Sequence, residues 1–590
     1  MLEQEKKERL KKSLDIIAIV IGLISLCNFL IYFGFYLTDF IESILTLITY
    51  LIILIFIIVE FIRIFGITGL GKYLRNNTFE VILILLLFFL VVDNLYQNIF
   101  LNTLMIQLHI PYVHLISMSI INFLLFFSLI LKVLRYNYLL RNIKLNPGVI
   151  FTLSFLVLIL IGMILLLLPK ATFEGERLNL IDALFTSTSA VCVTGLIVVD
   201  TATKFTHVGH LIILFLIQIG GLGIMTFTTF FAIYFGGSSS IYLKLMMKDF
   251  LSEENIGQVS SILIRIIIFT FLIESIGAFL IYYGLNGDLT NYNPENLFLS
   301  VFHSVSAFCN AGFSLFSDNL MNEKVIGNYL ITSTIMVLII MGGLGFTVLN
   351  NLSGLRPRFM KKKRIRNQLS VHTKIVLITT IFLIIVGSIM ILLGEVNNPN
   401  NSGNFFRLVY DSMFQSVSAR TAGFNTLNTE LLSVPTSLII IILMWIGASP
   451  GGTGGGIKTT TISLAVLSFI NILKGKSRTD LFRKTVTEES IQKSHLVIFG
   501  SMSVIILGLL FISWIEPDKN LLDLAFEVVS AFGTVGLSRN ITFNLGNGGK
   551  LIIIMMMFIG RIGILTFIIS FFAVQKYPKF GLPKENVIVG

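Results

Sequence analysis

The chain has 590 residues, of which 55% are hydrophobic and 13% charged, and its mean hydropathy is +0.88. Soluble proteins carry about 25% charged residues, so a soluble multidomain protein is excluded for want of charge to cover its surfaces. Apolar runs of about 20 residues, each long enough to cross about 30 Å of hydrocarbon, recur from end to end and mark an all-α integral membrane protein.

Residues 1–13 are charged. The apolar run that follows, 14–37, is too long for a signal-peptide core and has no small-residue cleavage site, which predicts a retained membrane helix. In chain order, spans are expected near 14–37, 43–62, 78–98, 112–131, 149–169, 208–232, 263–284, 327–349, 373–394, 435–473 (interrupted), 496–514 and 550–574. With the N-terminus inside, the cytoplasmic stretches 1–13, 63–75, 132–144, 233–265, 356–374, 474–493 and the tail from 575 carry 32 of the 43 Lys and Arg. The external stretches carry eight: Lys170, Arg177, Lys204, Lys324, Arg407, Lys519, Arg539 and Lys550. That bias places both termini in the cytoplasm. It also accounts for the net charge of +11 without nucleic acid. The basic clusters Arg356-Pro357-Arg358, Lys361-Lys362-Lys363-Arg364 and the stretch from Lys474 to Lys484 read as topology determinants on anionic lipid, with docking of a cytoplasmic partner as a second reading.

The first four spans, within residues 1–147, contain Asp39, Glu42, Glu60 and Asp93. They lack the regularly spaced arginines of a voltage sensor. Packing around the rest of the molecule is the simpler role, and a sensory or partner-binding role the other. Cys27, Cys192 and Cys309 have neither metal-ligand spacing nor a disulfide pattern. The seven histidines are scattered and suggest no role.

From residue 148 the sequence repeats itself, in units of about 148–232, 233–355, 356–475 and 476–574. Each unit contains Ser-Ala followed, a few residues on, by Gly and an apolar residue. The copies are Ser189-Ala190-Val191-Cys192-Val193-Thr194-Gly195-Leu196, Ser306-Ala307-Phe308-Cys309-Asn310-Ala311-Gly312-Phe313, Ser418-Ala419-Arg420-Thr421-Ala422-Gly423-Phe424 and Ser530-Ala531-Phe532-Gly533-Thr534-Val535-Gly536-Leu537. Their closing glycines, Gly195, Gly312, Gly423 and Gly536, are almost evenly spaced, and the third copy is one residue short. Each follows a short, weakly apolar helix candidate such as 180–188 or 521–529, too short to span and long enough to re-enter. Beyond each comes a second glycine motif, inside a long helix: Gly220-Gly221-Leu222-Gly223, Gly342-Gly343-Leu344-Gly345, Gly447-Ala448-Ser449-Pro450 and Gly560-Arg561-Ile562-Gly563. The fold expected is four span–pore-loop–span repeats around one pseudo-fourfold pore, plus four extra N-terminal transmembrane helices.

Irregular backbone at membrane depth survives only when buried in protein or lining a wet cavity. Glycine allows carbonyl oxygens to turn toward an axis and replace an ion's hydration shell, and short helices ending there present their partially negative C-termini. Both favour a cation. The candidate filter is therefore Cys192, Val193, Thr194 and Gly195; Cys309, Asn310, Ala311 and Gly312; Arg420, Thr421, Ala422 and Gly423; and Gly533, Thr534, Val535 and Gly536. The carbonyls of Thr194, Gly195, Ala311, Gly312, Ala422, Gly423, Val535 and Gly536 are its expected cation ligands, and Thr534-Val535-Gly536, the first three residues of the potassium-channel filter signature, makes potassium the expected ion.

Pro450 and the run Gly451-Gly452-Thr453-Gly454-Gly455-Gly456 interrupt the tenth span. Glycine costs about 1 kcal/mol and proline about 3 in a helix interior, so the helix should break here, as helices do on ion pathways. A phosphate-binding loop is excluded because Ile457 separates the glycines from Lys458. Arg561 lies in an otherwise uncharged span. A central arginine costs about 2.5–3.5 kcal/mol to insert, so it should face inward, toward the glycine run as a positive barrier or toward carbonyls for structure alone. Arg420 should point away from the axis and hold its loop through carbonyls or through one of Asp182, Asp411, Glu527 and Asp523.

From about residue 149 onward these motifs resemble the Trk/Ktr/HKT superfamily, closest to the bacterial Ktr/Trk membrane subunit. The resemblance rests on the four loops, Gln218-Ile219-Gly220-Gly221-Leu222-Gly223, the run from Gly447 to Lys458, and Gly560-Arg561-Ile562-Gly563. It implies a potassium-uptake pore in the cell membrane with one filter glycine per repeat, and not an enzyme. It also implies a gate at Gly451, Gly452, Thr453, Gly454, Gly455, Gly456, Lys458 and Arg561, a homodimer, and a separate ring of cytoplasmic nucleotide-binding regulatory subunits. In that family serine at the first filter glycine goes with sodium permeation, so Gly195 favours potassium. A sodium-permeable or sodium-coupled cation transporter is the alternative.

Overall fold

The computed structural model describes residues 2–64, 78–95, 117–126, 147–173, 177–235, 259–287, 293–353, 369–399, 404–476 and 478–571. The basic cluster at 356–364, the tail from 575, and most of the loops at 63–75, 132–144 and 233–258 lie outside these residues.

Helix lies at each of the expected spans. Five helices among the described residues are individually long and apolar enough to cross a membrane: Ile16–Gly34, Asp39–Ile62, Ile264–Asn286, Val371–Glu395 and Glu488–Ile515. Two of the remaining spans differ in shape from the continuous helices expected. The span at 327–349 is two helices, Tyr329–Leu344 and Phe346–Ser353, bent by 97°, because Gly345 between them adopts φ +84°. Gly563, at φ +86°, likewise separates Asn547–Ile562 from Ile564–Phe571. The tenth span breaks into Val434–Trp445 and Thr459–Leu473 around the glycine run.

The N-terminal helices keep their own apolar cluster, including Leu45, Ile52, Phe56, Met118 and Ile121. A buried polar seam crosses it. Asn28 and Asn122 both donate to Thr49 Oγ1, at 3.4 and 3.1 Å, and Asn94 links Tyr50 to Ser117 at 2.6 and 2.9 Å. Side-chain hydrogen bonds of this kind fix helices together where lipid supplies no hydrophobic drive between them.

Four short helices organise the rest: Leu180–Val191, Pro294–Phe308, Phe405–Ser418 and Leu521–Gly533. An asparagine precedes each of them, Asn179, Asn293, Asn404 and Asn520, and in two its side chain caps the helix. Asn293 Oδ1 accepts from Glu295 and Asn296 N–H with Pro294 in the first turn, and Asn520 accepts from Leu522 N–H. The long helix after each short one packs on the short helix of the next repeat. His207–Phe235 lies on the second, Tyr329–Leu344 on the third, Val434–Trp445 on the fourth, and Asn547–Ile562 returns to the first. At the rim between repeats 4 and 1, Lys550 Nζ meets Asp182 Oδ1 at 2.7 Å.

Candidate functional site: a four-glycine ring over a glycine-rich loop

Each short helix ends in a tight return built by its own serine. The N–H of the residue before the glycine bonds the serine carbonyl: Thr194 to Ser189 at 2.8 Å, Ala311 to Ser306 at 2.7 Å, Ala422 to Ser418 at 2.9 Å and Val535 to Ser530 at 2.9 Å. The missing residue of the third copy is visible here, since its bond spans four residues where the others span five. The serine hydroxyls close the turn a second time. Ser189 and Ser530 Oγ accept from Gly195 and Gly536 N–H at 3.0 and 3.1 Å, Ser306 donates to the Phe313 carbonyl at 2.7 Å, and Ser418 donates to that of Phe424.

The four glycines have φ of +89°, +70°, +77° and +95° at Gly195, Gly312, Gly423 and Gly536. Two residues earlier, Val193, Asn310, Thr421 and Thr534 are left-handed as well, at φ +56°, +59°, +77° and +50°. Such backbone costs non-glycine residues about 1–3 kcal/mol each, and it recurs at the same place in all four repeats. A Cβ on Gly195 would come within 3.0 Å of the Ala311 carbonyl oxygen, and one on Gly312 within 3.0 Å of that of Ala422. The same holds for Gly423 against Val535 and for Gly536 against Thr194, which closes the ring. The eight carbonyl-bearing residues expected as ligands thus stand in adjacent pairs around one ring.

The first residue of each expected filter quartet lies outside it. Cys192 and Cys309 cap their helices, Gly533 is the last residue of its helix, and Arg420 follows the cap Ala419. Cys309 Sγ faces Gln218 and Glu274, 3.9 Å from each. Arg420 reaches the carbonyl and hydroxyl of Thr380 at 3.4 and 3.5 Å; Asp411 and Asp523 pair instead with Arg407 and Arg539, at 3.5 and 2.6 Å.

Three of the second glycines exist for close approach. A Cβ on Gly220, Gly342 or Gly560 would strike the carbonyl oxygen of Val191, Phe308 or Phe532, near the C-terminal end of a short helix. In the third repeat Gly447 instead faces the Gly455 carbonyl, because here the chain turns aside to form the loop.

That loop is pinned at its base by Gly447 N–H to the Ile457 carbonyl, 2.9 Å, and Ile457 N–H to that of Trp445, 3.3 Å. The bend at Gly345 explains its seat. A helix ending at Leu344 leaves its last carbonyls without partners. Ser449 N–H takes that of Gly343 at 3.0 Å, and Thr453 N–H that of Gly342 at 3.2 Å. The loop then touches the ring's left-handed threonines. Gly455 N–H donates to Thr534 Oγ1 at 2.9 Å, and a Cβ on Gly454 would strike Thr421 Oγ1. Thr453 Oγ1 donates to the Phe308 carbonyl at 3.3 Å, and Lys458 Nζ to that of Gly454 at 2.6 Å. Arg561 is 2% exposed. Its guanidinium donates to the Thr453 carbonyl of the loop and the Gly220 carbonyl of repeat 1, so both of the partners considered for it, loop and carbonyl, are met at once.

The left-handed residues before each glycine have no signature in three of the copies, since valine and threonine disfavour that region; only Asn310, of a type that tolerates it, and the recurrence of the position point to it.

A fourfold helical assembly whose loops meet in one ring, embedded among apolar spans, defines a multi-pass membrane transport protein. Residues 116–580 match the family model described as TrkH, a cation transport protein. The chain belongs to this family. It is 38% identical over 460 residues to the Ktr system potassium uptake protein B of Bacillus subtilis, covering 78% of this chain and 100% of that one. To the potassium/sodium uptake protein NtpJ of Enterococcus hirae it is 34% identical over 458 residues, 76% and 98% of the two chains. The crystal structure of the potassium transporter TrkH from Vibrio parahaemolyticus superposes with a TM-score of 0.57 at 18% identity, over 83% of this chain and 97% of that one, a likeness of fold. The chain is a transporter and not an enzyme.

Proposed function

We propose that the protein takes up potassium across the cell membrane through a channel-like pore. The four-glycine ring is its selectivity filter and the loop 451–456 its gate, with both termini cytoplasmic. The observation that carries this reading is the closed ring Gly195, Gly312, Gly423, Gly536, each pressed on a backbone carbonyl of the next repeat. Positive φ at every second residue turns successive carbonyls toward one side, as a cage that replaces water around a cation requires. The loop, buried directly against Thr421 and Thr534, obstructs the path. Arg561 adds positive charge and ties the loop to repeat 1. The relatives named as potassium uptake proteins support the ion, and the Ktr system named for one of them supports a regulated complex. The assembly that fits is a homodimer with one pore per chain on a ring of nucleotide-binding cytoplasmic subunits, leaving the stretch 1–147 as a packed extension.

Expression in a potassium-uptake-deficient cell at low external potassium tests this, with and without a candidate regulator. Rescue is expected; failure to rescue with the regulator present and the protein in the membrane would overturn it. A sodium-permeable pore is the second reading, favoured by the relative named as a potassium/sodium uptake protein. Ion-replacement flux, with Gly195→Ser as the sodium-permeable control, separates the two.

A further inference from the structure

Three residues before its serine, each short helix carries one buried polar side chain: Thr186, His303, Gln415 and Glu527. Two residues after its ring glycine, each repeat carries Ile197, Ser314, Asn425 or Ser538. In repeats 2 and 4 these two positions are joined. His303 Nδ1 lies 2.8 Å from the Leu299 carbonyl of its own helix, which makes Nδ1 the donor. Nε2 is then the acceptor, and takes the Ser314 hydroxyl at 3.1 Å. Ser314 Oγ accepts in turn from Phe316 N–H at 3.0 Å, and the Phe316 ring stacks on His303 with centroids 4.8 Å apart. In repeat 4, Thr542 donates to Glu527, and its hydroxyl lies 2.8 Å from that of Ser538.

Repeats 1 and 3 lack the join. Thr186 donates to the Asp182 carbonyl of its own helix at 2.9 Å, and Ile197 has no polar side-chain atom. Both amide atoms of Gln415 are buried without a hydrogen-bond partner, while Asn425 Nδ2 turns to the Leu427 carbonyl at 3.2 Å. Satisfying buried polar groups is therefore not what these positions share, since Gln415 is left unsatisfied. The order of repeats around the ring sets 2 and 4 across the axis from each other.

We propose that His303 with Ser314, and Glu527 with Thr542 and Ser538, form a diagonal pair of clamps that hold the outer end of the ring at the width on which discrimination between potassium and sodium depends. They are positioning residues, acting through the backbone that leaves each ring glycine. A site of this kind works only within about 0.5 Å of its geometry, and the short helix restrains that segment directly in repeat 2, through His303 and Ser314, and by way of Thr542 in repeat 4. The inference rests on the reading of the ring as the ion filter.

The test is the potassium-to-sodium flux ratio of the purified full chain in liposomes, measured together with its thermal midpoint. Ser314→Ala and Ser538→Ala each lower the ratio roughly threefold, the factor one net hydrogen bond carries, and the double variant lowers it about tenfold. Glu527→Gln keeps an acceptor for Thr542 and keeps the ratio; Glu527→Leu does not. Asn425→Ala, at the serine-equivalent position of an unclamped repeat, leaves the ratio unchanged, which a general loss of stability would not. The clamp is overturned if the double variant keeps the wild-type ratio while Gly195→Ser shifts it. If Gly195→Ser also leaves the ratio unchanged, the filter reading has failed and the clamp falls with it.

Discussion

In the ring, the return that leads into each glycine is fixed by the serine of its own repeat. Ser189 holds both Thr194 and Gly195, and Ser530 holds both Val535 and Gly536, all within one short return of the chain. The loop beneath is pinned at its base by its own repeat and is also held from outside it, by Gly342 and Gly343 of repeat 2 and by Thr534 and Arg561 of repeat 4. Glycine serves both regions, for opposite ends. In the ring it permits a strained backbone that four repeats press into one shape. In the loop it leaves a segment with few side chains, held by a handful of hydrogen bonds worth about 0.5–1.5 kcal/mol each. Coupling energies between sites are typically about 1–3 kcal/mol, the worth of one or two of these bonds, which is the scale on which the regulator of the proposed function would loosen the loop.

The sharpest way to break this contrast is to shorten the loop. Removing residues 452–455 is expected to raise potassium flux into liposomes about tenfold or more without a regulator, leaving the potassium-to-sodium ratio within about twofold of wild type. Flux that stays low would place the obstruction elsewhere. Arg561→Ala comes next. It strips donors from the Thr453 and Gly220 carbonyls, at about 1–3 kcal/mol for each buried group left unsatisfied, and should raise basal flux several-fold. Unchanged flux and unchanged gating would end the proposal that this arginine latches the loop. Thr534→Val removes only the acceptor for Gly455 N–H, and a rise of roughly threefold is expected, read as regulator-independent uptake. The smallest effect is at the rim. Lys550 and Asp182 are 12% and 13% exposed, and Asp182→Asn should lower stability by roughly 0.5–1 kcal/mol, seen as a lower thermal midpoint with flux unchanged.

Much of this was legible in the residues because the chain repeats. Four Ser-Ala loops at near-equal spacing pointed to one site, and Pro450 with its glycines announced a break. The 97° bend at Gly345 was not legible, because Gly342-Gly343-Leu344-Gly345 sits inside an apolar run whose hydropathy is the same bent or straight. That bend frees the carbonyls on which the loop sits, so the seat of the loop was hidden with it. Arg420 could be sent away from the axis on electrostatic grounds, but its partner Thr380, on the long helix Val371–Glu395 that precedes it, has no signature in sequence. His303 is the clearest omission. One scattered histidine means little until its position is aligned with Thr186, Gln415 and Glu527, and until Ser314 is found against it.

Uptake through the pore proposed above requires the ion to pass the ring. Potassium flux into liposomes should be compared for the wild-type protein and for Gly195→Ala, Gly312→Ala, Gly423→Ala and Gly536→Ala, each with folding checked by its thermal midpoint. Each alanine would bring a Cβ within 3.0 Å of the neighbouring repeat's carbonyl and hold a side chain at positive φ, so flux should fall about tenfold or more in all four. A folded variant that conducts potassium at the wild-type rate would contradict the claim that the four glycines line one pore.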